Sequence, residues 1–178
     1  MDDFPPVEKN GCSHNKLSNT TAQSPADIGL DDLEQVLLDV ARLYFCAYTD
    51  VKVPHWERAL KHAVTHIKTK NAPTVAISLL NVLCAMRTTR RAMFHFNSPY
   101  CRDCSRKVTM SESNLMRAIH YIRRGQREAA EMEAFILCEG RDIKEFMLSI
   151  DQLAGWLPTA KTPSRMIMKS AFHAHAVH

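Results

Sequence analysis

The strongest constraint on this chain is the recurrence of apolar residues at three- and four-residue steps, which begins at LDDLEQVLLDVARLYFCAYTD. Leu30, Leu33, Leu37, Val40 and Tyr44 fall on one face of a helix. Asp31, Asp32 and Glu34 stand in its first turn, where the helix dipole favours anions. A helix with one apolar face has to bury it, so the rest of the chain is read for partners.

A second helix is expected from Pro54, which suits a first helical position, through HWERALKHAVTHIKTK to Asn71. The third runs from Pro73 through TVAISLLNVLCAMRTTRRAMF. It is apolar nearly all round between Val75 and Met86, so it is expected to be the central buried helix, emerging into solvent at Arg87, Arg90 and Arg91. The fourth, in VTMSESNLMRAIHYIRRG, opens with Thr109 and Glu112 in capping-box spacing, with Ser111 as a rival cap. It carries Leu115, Ile119 and Ile122 on one face and stops at Gly125.

REAAEMEAFILCEG makes a fifth helix, ending at Gly140. Asp142 then caps a sixth, whose stripe is Ile143, Phe146, Met147, Ile150, Leu153 and Leu157 before Pro158. No alternating strand pattern and no internal repeat is apparent, and five glycines are few for the turns of a β-sandwich or barrel. The fold class is all-α: a single helical domain of about six helices, with a cysteine-bearing loop between the third and fourth.

Residues 1–28, rich in Asn, Ser, Thr and Pro, read as a disordered leader; 29–157 form the helical domain; 158–178 are a loosely ordered, His-bearing tail with a short helix around Met166–Phe172. The acidic, proline-bearing start lacks the order of a signal peptide, and no uninterrupted apolar run of about 18 residues is present. Six cysteines without a secretory signal imply reduced thiols and a cytoplasmic location, with no membrane association.

Charge is segregated. Residues 1–39 carry eight acidic and two basic side chains, whereas residues 40–127 carry sixteen basic and four acidic. Residues 87–127 alone hold ten Arg or Lys against Asp103 and Glu112. Such a block attracts nucleic acid, an acidic protein or the chain's own acidic ends. Its expected surface is Arg102, Arg106, Lys107, Arg117, Arg123, Arg124 and Arg127. Gly125 between two helices invites comparison with a helix-turn-helix. However, the following helix carries Glu128, Glu131, Glu133 and Glu139, which a groove-reading helix would not present to phosphates. DNA binding, if present, would therefore fall to the fourth helix or the cysteine loop.

The chemistry concentrates in FHFNSPYCRDCSRK. C-x-x-C brings two soft donors to one side of a tight turn, as zinc knuckles do, so Cys101 and Cys104 with His95 form the first candidate metal site. Arg102, Arg106 and Lys107 are expected to favour the thiolates. A fourth ligand could come from His120, Cys138, Cys84, a carboxylate or water. A redox dithiol would follow a strand in a βαβ unit, and no strand is expected here. An iron–sulfur cluster would need two more placed cysteines, and the other four read as scattered on helices. The bland alternative is a basic loop with two thiols.

His55, His62 and His66 are the second candidate, all within roughly 20° of one line on the second helix. No H-E-x-x-H is present, so a metalloprotease would lack its base, and a partly exposed polar flank is the favoured account of the three. AFHAHAVH at the end of the chain is composition rather than a site. No Gly-rich phosphate loop, nucleophile elbow or other catalytic constellation marks an enzyme. The expectation is a small cytosolic regulatory or adaptor protein with a structural zinc knuckle and a basic surface for an anionic partner, nucleic acid or acidic protein. The alternatives are a metal- or redox-responsive sensor using Cys101 and Cys104, or a small metal-dependent enzyme using His55, His62 and His66.

Overall fold

Two capping boxes fix where the key helices begin. The structure is a computed structural model, and it describes residues 7–10, as backbone, and 23–160. α1 (Asp32–Thr49) starts at Asp31, whose carboxylate accepts the Glu34 N–H, while Glu34 accepts the Asp31 N–H in return. α4 (Met110–Arg123) starts in the same way at Thr109, with Glu112 as the reciprocal partner. Between and after them lie α2 (His55–His66), α3 (Ala72–Thr89), α5 (Arg127–Leu137) and α6 (Lys144–Trp156). The protein is predominantly helical, with six helices among the described residues.

The helices pack as α1 on α2, α4 on α5, and α3 on α6, with α1 also against α3 and α4. Leu37, Val40 and Ala41 of α1 meet in one core with Val75, Leu79 and Leu83 of α3 and with Phe146, Ile150 and Leu153 of α6. The fourth helix adds Leu115, Met116 and Ile119. α3 is long and apolar enough to cross a membrane by length and composition, and half of that stretch is buried in the protein while Ile77 is exposed. Gly125 and Gly140 close α4 and α5 with φ of +69° and +73°, a region that disfavours residues bearing a Cβ.

Several expectations need correction. The third helix ends at Thr89 instead of running to Phe94, and a strand follows, β2 (Phe94–Asn97). It pairs in parallel with β1 (Val7–Asn10), so part of the expected leader is a strand. β2 does alternate: Phe94 and Phe96 are buried around Phe45, at ring-centroid distances of 4.4 and 5.3 Å, and His95 faces out. Four residues are too few for the pattern to stand out, and the partner strand is remote in sequence. Residues 23–30 also belong to the fold. Ile28 and Leu30 are buried, and Val108 N–H donates to Gln23 carbonyl.

Arg90 is likewise buried rather than emerging into solvent, because its guanidinium donates to the carbonyls of Ala92, Met93 and Leu137. Asp142 stands one residue before the N-cap of the last helix, which is Ile143 and not Asp142 as expected, though the Asp142 carboxylate accepts the Lys144 N–H. The expected helix at 166–172 and most of the tail lie outside the described residues.

Candidate functional site: the cysteine turn and its basic rim

The loop between β2 and α4 is held from beneath by a buried ion pair. Arg42 of α1 donates from Nε and Nη2 to both Glu112 oxygens, at 2.7 and 3.1 Å, and neither side chain is exposed. The same guanidinium donates to the carbonyls of Ser105 and Lys107, at the far side of the cysteine turn. Glu112 in turn accepts the Asn97 N–H at the end of β2. One arginine and one glutamate therefore fix both ends of the segment that carries the cysteines. The sequence held a signal for this: Arg42 interrupts an otherwise apolar run, VARLYFC, where a cation needs a partner.

Within the segment, successive turns bring the thiols together. Cys101 N–H donates to Ser98 carbonyl, Ser105 N–H to Cys101 carbonyl and Lys107 N–H to Cys104 carbonyl. The Cys101 and Cys104 sulfurs face each other at 2.7 Å, and the Cys104 N–H is directed at Cys101 Sγ at 3.3 Å. Both residues are partly exposed. A strand does precede this dithiol, contrary to expectation. Even so, the cysteines occupy a turn and not the first turn of a helix, so the thioredoxin-type arrangement is not reproduced.

His95 projects outward from β2 while its carbonyl accepts the Thr109 hydroxyl. Among the described residues, no three His, Cys, Asp or Glu side chains gather as a metal group, so His95 does not join Cys101 and Cys104 in one. The other ligands weighed are placed elsewhere. His120 Nδ1 donates to the Glu34 carboxylate at 2.9 Å, Cys138 is buried at the C-cap of α5, and Cys84 of α3 faces Tyr48.

The three histidines of α2 share a face without sharing a site. His62 and His66 stack at 4.3 Å, with His62 4.0 Å from Asp39. Burial and the neighbouring His66 both push the His62 pKa down, against the pull of Asp39. His55 lies two turns away, roughly 10 Å along the axis, and is buried with Nδ1 2.8 Å from the Tyr100 hydroxyl.

The expected basic surface divides. Arg123 and Arg124 turn inward onto Glu34 and Asp31, with side chains 3 and 8% exposed. Arg117 pairs with Glu133, and Arg127 with Glu131 and Asp151. Arg102, Arg106 and Lys107 stay exposed on the cysteine loop, and Arg58 and Lys61 of α2 are exposed too. Sequence counting could not make this division for Arg123 and Arg124, whose carboxylates stand about ninety residues away, although the Arg127–Glu131 pair is only four residues apart. Compared with family models, curated proteins and solved structures, the chain matches none.

Proposed function

We propose that the protein is a small regulatory or adaptor module in which Cys101 and Cys104 form half of a structural zinc knuckle. In this reading the knuckle presents Arg102, Arg106 and Lys107 to an anionic partner. The observation that carries it is that one turn sets both sulfurs on the same side, with a backbone N–H pointing at one of them; on a shared tetrahedral zinc they would part from 2.7 Å to about 3.7 Å. Tetrahedral zinc takes four donors, and the metal would add to the order that Arg42 and Glu112 give the ends of this polar loop.

The remaining donors are assigned from the sequence. Cys12 and His14, in GCSH, follow directly on β1 and lie outside the described residues. Cys46 and Cys84 lie on α1 and α3 and Cys138 closes α5, whereas Cys12 precedes the helices in the sequence. A Cys3His set is a common structural zinc site.

Thermal unfolding with and without a chelator tests the reading. The account predicts a lower, chelator-insensitive midpoint for Cys101→Ser/Cys104→Ser and for Cys12→Ser/His14→Ala, and unchanged chelator sensitivity for His95→Ala. A wild-type midpoint indifferent to chelator overturns it.

A further inference from the structure

We propose that the exposed Tyr100 ring, with Arg58 and Lys61 beside it, is a stacking site for single-stranded nucleic acid. The inference rests on the basic rim described above and names its partner.

Tyr100 is 53% exposed although it sits directly before the cysteine turn. Its hydroxyl is tethered at both sides, to buried His55 at 2.8 Å and to Arg58 Nη1 at 3.2 Å. The Arg58 guanidinium also lies 5.7 Å from the ring centroid. An aromatic ring fixed at its hydroxyl, with its body in solvent, is preorganised to receive another ring. Stacking then loses little side-chain entropy.

The ring borders two adjoining clefts, each of about 340 Å3. One is lined by Arg58, Lys61, His62 and His66, and the other reaches Asp39 and Pro99. Arg58 and Lys61 of α2 line the first cleft, and Arg102 and Arg106, two and six residues beyond Tyr100 in the chain, are exposed on the loop. Phosphates suit these cations, while Asp39, 46% exposed, can accept from the amino group of a base but would repel phosphate. A duplex keeps its base faces covered and cannot use the ring; an acidic peptide would use the cations and leave the ring idle. Single strands use both.

The test is fluorescence anisotropy with the full chain and labelled oligomers of about ten nucleotides, single-stranded and duplex, at two salt concentrations. Single strands are expected to bind tighter than duplex, with affinity falling as salt rises. Tyr100→Leu should weaken single-strand binding about tenfold at unchanged salt dependence, and Tyr100→Phe should retain most of the affinity. Arg58→Ala/Lys61→Ala should flatten the salt dependence. Salt-dependent binding that ignores Tyr100→Leu, or equal binding of duplex, overturns the stacking site and leaves the basic rim standing. Binding of polyglutamate in preference to either oligomer assigns the rim to an acidic protein and overturns the nucleic-acid inference. Failure to bind any polyanion, heparin included, overturns the rim itself.

Discussion

Arg42 and Glu112, seventy residues apart, meet as a two-pronged ion pair at 2.7 and 3.1 Å with both side chains fully buried. The relationship has a counterpart at the other end of the same helices. Glu34, which caps α1, takes Arg123 and Arg124 of α4, and Glu112, which caps α4, takes Arg42 of α1. Each capping glutamate thus anchors the opposite helix. The two helices are locked in one register, and the cysteine turn hangs from one of the locks.

Breaking the lock leaves a buried charge uncompensated. Arg42→Met should destabilise the fold by about 3–5 kcal/mol, and it should also loosen the cysteine turn, since Ser105 and Lys107 lose their donor. Urea titration measures the first effect, and amide exchange across residues 98–108 the second. A loss below about 1 kcal/mol would place the pair among ordinary surface bridges.

Acid should undo the second lock. Burial alone would raise the Glu34 pKa, but hydrogen bonds from His120, the Asp31 backbone and Arg124 outweigh it and bring the group from 4.5 down to about 2. The folded state therefore binds fewer protons than the unfolded chain between these values. Its stabilisation is complete above pH 4.5 and is lost as pH falls toward 2. The unfolding midpoint should drop through this window, and Glu34→Gln should flatten the drop. An equally steep fall in Glu34→Gln would assign acid sensitivity elsewhere.

How much was legible beforehand follows from where the partners lie in sequence. The Thr109–Glu112 box, the stripe of α6 and the stops at Gly125 and Gly140 are local, and all could be read from spacing. Arg123 and Arg124 resembled surface cations because their carboxylates stand about ninety residues upstream. β2 was missed for the same reason, its partner being at the far end of the chain. The C-x-x-C turn was legible, but Tyr100 was not: its meaning comes from His55 and Arg58 on another element.

Thiol chemistry should separate the cysteines. Burial pushes the Cys138 thiol up to about 11, against the pull of Arg90, so it should resist iodoacetamide in the folded protein at pH 8. Exposed Cys84 should react under the same conditions. Peptide mass mapping before and after denaturation reads both. Native modification of Cys138 at the rate of Cys84 would mean that the face beneath α5 opens.

Two glycines distinguish backbone strain from crowding. A Cβ at Gly125 would meet nothing within 4 Å, so Gly125→Ala should cost about 1–2 kcal/mol from its φ of +69° alone. At Gly140 the added carbon would also stand 3.3 Å from Phe135 Cζ, and Gly140→Ala should cost more unless that ring shifts. Paired denaturant curves test the order. A larger loss at Gly125 would contradict it.

The most direct test of the account is X-ray absorption at the zinc edge, on untagged full-length protein purified without chelator or nickel. The account predicts one zinc per chain with about three sulfurs at about 2.3 Å and one nitrogen, and loss of the zinc in Cys101→Ser/Cys104→Ser. A zinc shell of nitrogen and oxygen alone, or protein without zinc, would contradict the knuckle.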